Sequence, residues 1–446
     1  MAQQTITFFS FVLVILLSMI LFMMSLGYLP ESVRYRWIAM SGIKRFSGGN
    51  MFYENLKLQQ NEGNATQPLF TTTWTLNTTE TTTWESVTMS KTNETKRSPA
   101  EHPIPVIRKS SFKKLPLWNF DDIYNLDAPP RPMTCAQSLR NSEDKAFQKA
   151  FLPNVRMFLH KDNINMREWN RLSHFNNPYG FMDMKYEDVW PVLKMIPKPK
   201  EPLLLPKPGG DGCVHCAVVG TGGILNGSKM GAEIDAHDYV FRMNGAVIKG
   251  YEEDVGNRTS VYVHTSHSIT ASLYIFKKYG YMSAPHDEGI KYVMIPEGLR
   301  DYRWLKGLIG GENLSKKNPR TYYSGRYNES NFYVLHQDFL RYVRNRFLKS
   351  NNLNRGYWAI VRPTNGAFAI FTALHACDTV SAYGFMTQDY AKYPNYYAQR
   401  NQKTRVIFYA NHDYIQEMKL WKSLHDRKIL KLFQRTEKKD RTPKQP

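Results

Sequence analysis

Three stretches of the chain combine residue types that could do chemistry. Val218–Ser228 reads VVGTGGILNGS, an apolar run that ends in a glycine-rich turn ahead of a helix. Gly220, Gly222 and Gly223 permit close backbone approach and positive φ, so amide N–H groups can face a phosphate. A turn of this kind also occurs with no ligand at all. The dinucleotide fingerprint needs a third small residue where Leu225 stands, so a hydride-transfer enzyme fits poorly. Pro363-Thr364-Asn365-Gly366 is a second turn that opens a helix. Thr364 and the first helical amides can bind an anion or a sugar edge, or serve only as an ordinary N-cap. The third stretch, Ile407–Leu424, reads as a strand followed by an amphipathic helix with Ile415, Met418, Trp421 and Leu424 inward. His412 falls at the junction, where a helix N-terminus lowers a His pKa and a neutral imidazole suits a general base. A His that caps the helix or packs in the core is the plainer alternative. Cys213-Val214-His215-Cys216 looks like half a zinc site, but no second ligand pair exists at matched spacing. Disulfides are the simpler reading.

The elements that must position these residues alternate. CAVVG (Cys216–Gly220), Tyr239–Asn244, Val261–Thr265, Lys291–Pro296 and Thr379–Phe385 read as short buried strands. Asp338–Lys349 carries Phe339, Leu340, Val343, Phe347 and Leu348 on a helical stripe, and Gly366–Ala376 is helix-like. Such alternation predicts an α/β domain with a mainly parallel sheet, whose ligands sit at the carboxyl ends of the strands.

The chain has 446 residues, with 59 Lys+Arg against 39 Asp+Glu and a net charge of +20. That balance suggests nucleic acid, an anionic membrane surface or an anionic small substrate, and the N-terminal region decides among them. Phe8–Leu26 contains no charge and no proline. Its roughly nineteen residues, at about 1.5 Å rise, span the hydrocarbon core and are longer than a usual signal-peptide apolar region. An uncleaved signal-anchor is expected. Arg34, Arg36, Lys44 and Arg45 follow it while residues 1–5 hold no Lys or Arg, which taken alone would place the C-terminal side in the cytosol. The next segment overrides that rule. Residues 61–98 are Thr-rich, poor in aliphatics, and carry sequons at Asn64, Asn77 and Asn93, the composition of an extended O-glycosylated stalk. Further sequons stand at Asn226, Asn257, Asn313 and Asn328. The expected organisation is a tail (1–7), a transmembrane signal-anchor (8–29), a glycosylated stem (30–130) and one large luminal domain (131–446), a setting that makes nucleic acid an unfitting partner.

Residues Cys216–Ser260, Arg362–Phe385 and the pair His412 and Glu417 together resemble the long, short and very short motifs of the animal sialyltransferase family. GGILNGS, NGAVIKGYE and IFYANHD are most similar to its N-acetylgalactosaminide α-2,6 branch. The resemblance covers about Cys213 to Gln434, half the chain. It implies a type II Golgi membrane enzyme with a Rossmann-like, GT-A-variant catalytic domain, independent of metal and of any cofactor beyond its donor substrate, CMP-sialic acid. Its acceptors would be GalNAc residues O-linked to Ser or Thr of mucin-type glycoproteins. It also implies a disulfide between Cys216 and Cys377, which leaves Cys135 to pair with Cys213.

On that resemblance, Gly220, Thr221, Gly222, Asn244, Thr364, Asn365 and Gly366 would hold CMP and its phosphate. His412 would be the base for the acceptor hydroxyl, with Glu417 as its motif partner, in an inverting single displacement. The chain departs from the family pattern at Thr221, where Asn is usual, and at Asn365, where Ser or Thr is usual. A third departure is Tyr393–Gln399 (YPNYYAQ), which lacks a usual His; Tyr396 or Tyr397 would reach the donor phosphate there. A luminal pseudoenzyme, or a protein that binds CMP or glycan without transfer, is the alternative, and an unrelated nucleotide-binding oxidoreductase is the remote one.

Overall fold

The predicted apolar runs become strands of one sheet, and their order decides where a ligand can sit. The computed structural model describes residues 101–129, 131, 135–314 and 317–435. The strands are β1 (His215–Val219), β2 (Tyr239–Met243), β3 (Val261–His264), β4 (Lys291–Met294), β5 (Phe332–Val334), β6 (Thr379–Tyr383) and β7 (Lys431–Leu432). Every neighbouring pair is parallel, in the order β5-β4-β3-β2-β1-β6-β7. The chain therefore builds outward from β1 to β5, then returns to place β6 on the other side of β1. The reversal leaves a crevice beyond the carboxyl ends of β1 and β6, the switch point at which open α/β sheets bind ligands.

The helices are α1 (Lys145–Ala150), α2 (Met166–Leu172), α3 (Tyr186–Leu193), α4 (Gly231–Asp235), α5 (Glu252–Val255), α6 (Ser266–Ile275), α7 (Leu299–Gly310), α8 (Gln337–Arg346), α9 (Asn365–Ala376) and α10 (Tyr414–Asp426). α9 has no polar face: Ala367–Ala376 is buried throughout, because the helix packs against β1, β2 and β6 at once. Its N-terminus opens at the switch point, and its C-cap, Cys377, is disulfide-bonded to Cys216 of β1. The second expected bond, Cys135–Cys213, is also present. Neither cysteine of the Cys213/Cys216 pattern is thus a free thiolate. Asp211, Cys213 and His215 lie together, but the sulfur belongs to that disulfide and His215 bonds Asp211 and Thr379 instead.

Two expectations change. Ile407–Asn411 is not a strand but an irregular segment, exposed from Ile407 to Ala410; its apolar residues give it the composition of a strand, yet among the described residues no sheet edge reaches it. The stem was expected to run to residue 130, but residues 119–123 within it are held by α8. Residues 101–129 have little periodicity, so their fit is invisible in sequence. Three side chains of α8 satisfy their backbone: Arg341 donates to the carbonyls of Asp121 and Ile123, and Arg344 and Asn345 donate to that of Asn119 at 2.7 and 2.9 Å. The expected anchor and the sequons at Asn64, Asn77 and Asn93 lie outside the described residues. Among the described residues, no helix is long and apolar enough to cross a membrane.

Candidate active site

A cleft of about 430 Å3 opens at the switch point, lined by the loops after β1, β2, β3 and β6, the start of α9, and the segment before α10. Its floor is set by glycines, though by a different property from the expected one. The amide of Gly220 donates to the Tyr383 carbonyl (2.8 Å) and that of Gly222 to the Gly384 carbonyl (2.9 Å). A Cβ on Gly220 or Gly222 would stand 2.7 or 2.5 Å from the Gly384 oxygen, and one on Gly223 would stand 1.9 Å from the Pro394 oxygen. Backbone packs on backbone here, and the amides expected to face a phosphate stitch two loops together. Gly222 has φ −65°; the left-handed residues of this region are Gly384 (φ 73°) and Asn244 (φ 54°). Leu225, which broke the dinucleotide pattern, is fully buried in the sheet's second apolar cluster.

Asn244 ends β2 in a conformation that Asn tolerates better than most residues. Its carbonyl accepts from the Tyr262 hydroxyl (2.6 Å), and its side-chain Oδ1 accepts from Asn365 Nδ2 (2.9 Å). The unusual Asn365 therefore ties the β2 turn to the N-terminus of α9 and leaves Asn244 Nδ2 as a donor. Thr364 is the N-cap of α9, with Oγ1 accepting from the Ala367 amide (3.1 Å). The N1 and N2 amides, Asn365 and Gly366, have no partner within the helix, and the positive end of its dipole favours an anion at this point.

Glu417, one turn into α10, is buried against that cap. Its carboxylate accepts from the Thr364 amide (2.7 Å) and hydroxyl (2.6 Å). Burial pushes its pKa up to about 7, against the lowering effect of those two bonds. Glu417 therefore acts through Thr364 and is a positioning residue, which the His-x4-Glu spacing alone did not reveal.

His412 Nδ1 lies 2.8 Å from the Arg362 carbonyl and donates to it, which fixes the tautomer and leaves Nε2 with a lone pair. Nε2 accepts from Asn411 Nδ2 at 3.2 Å. The His412 pKa is pushed down to about 4, chiefly by burial, with the Arg362 charge also lowering it. The cause differs from the expected helix end: α10 begins at Tyr414 and its N-cap is Asp413. The imidazole is neutral at working pH, as the sequence suggested.

Among the described residues, Arg362 is the one Lys or Arg that lines the cleft, and its Nε binds Glu297 Oε1 at 2.7 Å. The net charge of the chain is not gathered in the site. Thr221 lines the cleft, and its carbonyl accepts from the Tyr397 amide at 3.1 Å. Of the two candidate tyrosines, Tyr396 lines the cleft. Tyr397 is buried beside it, with its hydroxyl donating to the Val247 carbonyl at 2.7 Å. Sequence reading missed the Arg362–Glu297 pair and the start of α6, where Thr265, His267 and Ser268 line the cleft. Thr265 forms a capping box with Ser268, and a Thr closing the predicted strand Val261–Thr265 was the available signal.

The cleft thus lies at the β1/β6 switch point of an open parallel sheet, with the N-terminus of α9 on one side and His412 on another. Residues 158–429 match the profile of glycosyltransferase family 29 (sialyltransferase), and the chain belongs to that family. It is 45% identical over 74% of its length to alpha-N-acetylgalactosaminide alpha-2,6-sialyltransferase 1 of Gallus gallus, covering 60% of that protein. It is 40% identical over 67% of its length to alpha-N-acetylgalactosaminide alpha-2,6-sialyltransferase 2 of Mus musculus, covering 82% of it. The chain thus spans less than two thirds of the length of the first of these relatives. A crystal structure of a mammalian sialyltransferase aligns with 68% of this chain and 99% of its own, at 22% identity and a TM-score of 0.49.

Proposed function

We propose that the chain transfers sialic acid from CMP-sialic acid, in α-2,6 linkage, to GalNAc O-linked to Ser or Thr of mucin-type glycoproteins. The observation that carries this reading is the shared cleft. His412 Nε2, unprotonated by its tautomer, lines the same space as the N-terminus of α9 and the β1 turn. Membership of the family supplies the reaction class, and the two relatives named above motivate the acceptor and linkage.

The acceptor O6–H gives its proton to His412 Nε2 as O6 bonds to the anomeric carbon of sialic acid. The bond from that carbon to the phosphate oxygen breaks with inversion, and CMP leaves as the anion. The developing phosphate charge is met by the Asn365 and Gly366 amides and Asn244 Nδ2, joined by the Thr364 hydroxyl only when Glu417 is protonated, with Thr221 and Tyr396 along the same wall. These donors are neutral and fixed before the donor arrives, which is where electrostatic stabilisation is most effective. Proton removal contributes about 10²–10⁴-fold, and alignment of donor and acceptor contributes the larger part. No step as written calls for a metal. Two disulfides suit an oxidising compartment, in keeping with a single-pass type II protein whose catalytic domain is in the Golgi lumen.

The test is incubation of the protein with CMP-sialic acid and a GalNAc-Thr peptide, with product read by mass spectrometry. One added sialic acid per sugar supports the proposal. Binding of CMP with no product identifies a protein that binds without transfer.

A further inference from the structure

A base that accepts a proton at His412 Nε2 becomes a cation, because Nδ1 already carries a proton that it donates to the Arg362 carbonyl at 2.8 Å. The groups around the ring decide how readily that charge forms. Asn411 Nδ2 is neutral, and so is the Tyr414 ring, which meets the imidazole edge-on at 5.6 Å between centres. Asp413 gives its carboxylate to the Ser350 hydroxyl and the Gln416 amide, and Glu417 gives its own to Thr364. Among the described residues, two charges act on the ring: the Arg362 guanidinium opposes a cation and the Glu297 carboxylate favours one.

Arg362 is fixed beside the base by its own backbone. Its amide donates to the Asn411 carbonyl at 2.9 Å, and its carbonyl holds His412 Nδ1. The residue that orients the imidazole therefore also brings an unhelpful positive charge to it. Glu297 stands three residues beyond the end of β4, and its Oε1 accepts from Arg362 Nε at 2.7 Å. The two side chains are only 23% and 16% exposed and both line the cleft, so solvent screens the pair little.

We propose that Glu297 is a positioning residue for the transfer, holding Arg362 against the segment that carries His412 and offsetting its charge where the base must become a cation. The inference rests on the role of His412 proposed above. It assigns the carboxyl end of β4 a part in the reaction without contact with either substrate.

Glu297→Gln keeps an oxygen for Arg362 Nε and removes the charge. It should lower kcat roughly tenfold, the scale on which one neighbouring charge alters a titrating group. CMP-sialic acid, itself an anion, should bind no more weakly. Glu297→Asp, which keeps the charge, should retain more of the rate. Adding Arg362→Gln to Glu297→Gln removes the opposing cation, leaves the backbone clamp in place, and should return part of the lost rate. An ion pair that only held the fold together would make the double variant no faster than the single one, and that result overturns the inference. NMR of the His412 imidazole, in protein without substrates, reads the same balance without turnover. From about 4 in the wild type, its pKa should rise in Arg362→Gln and fall again when Glu297→Gln is added. Those shifts in a protein that transfers nothing sustain the charge balance and remove the proposed reaction. An unmoved His412 pKa, an unchanged kcat in Glu297→Gln, or a loss of donor affinity equal to the loss of rate overturns the inference and leaves the reaction standing.

Discussion

Glu417 should make donor binding depend on pH, with a sign that follows from its two bonds. When its carboxylate is charged, it takes both the amide hydrogen and the hydroxyl hydrogen of Thr364. The Thr364 oxygen also accepts from Ala367, so no hydrogen is left for a phosphate. Protonation of Glu417 reverses one bond: the acid O–H donates to Thr364 Oγ1, and the threonine hydroxyl is released to donate into the cleft. An anionic donor therefore prefers the neutral acid. With the Glu417 pKa at about 7, the neutral fraction falls roughly tenfold between pH 6 and pH 8, and donor affinity should fall with it. Glu417→Gln keeps one acceptor for the amide and one donor for the hydroxyl, so it imitates the neutral acid and should bind equally well at both pH values. Glu417→Ala instead orphans a buried amide at a cost of about 1–3 kcal/mol. The assay is calorimetric titration of CMP-sialic acid without acceptor, because its phosphodiester does not itself titrate in this range. Equal wild-type affinity at pH 6 and pH 8, or an undiminished slope in Glu417→Gln, would refute the reasoning. The same shift bears on stability. The folded pKa lies above the ordinary 4.5, so this contribution is full below about 4.5 and lost as pH rises through about 7.

Other consequences are simpler to state. His412→Ala should lower transfer by about 10²-fold or more while CMP affinity stays within a few-fold; steady-state kinetics beside CMP titration checks the split, and a loss of both together would reassign His412 to donor binding. Replacing Cys216 and Cys377 by Ser opens a bond with a sequence separation of 161, worth about 4–5 kcal/mol in the chain-entropy model, and should appear as a large fall in Tm. Gly384→Ala puts a Cβ 2.7 Å from the Gly220 oxygen at φ 73°, so it should lower Tm and donor affinity together. Gly250→Ala, at φ 83° with nothing within 4 Å, should lower Tm only slightly; equal effects at the two sites would mean that backbone strain rather than loop contact dominates.

Local signals carried much of this architecture. Strands β1, β2, β3, β4 and β6 were legible as short apolar runs, and α8 and α9 as helices, because burial on a parallel sheet demands such composition. β5 and β7 were not, being three and two residues long, too short for any periodicity to register. Ile407–Asn411 has the residues of a strand without a neighbour to pair with, and pairing is a property of the whole fold. At the site, residue types pointed to Thr364, Asn365 and His412, since caps and turn-opening glycines have local signatures. The use of the Gly220 and Gly222 amides to join two loops, the Asn365–Asn244 couple and the grip of Glu417 on Thr364 each link residues more than fifty positions apart. No local pattern encodes them. The packed state of residues 101–129 was hidden for the same reason, since their partners are arginines two hundred residues away.

The most direct test of the account is the linkage formed on a GalNAc-Thr peptide incubated with CMP-sialic acid, determined by NMR of the purified product. The account predicts one sialic acid, joined with inversion through O6 of GalNAc, and no such product from His412→Ala. Attachment through O3, or an undiminished yield from the variant, would contradict it.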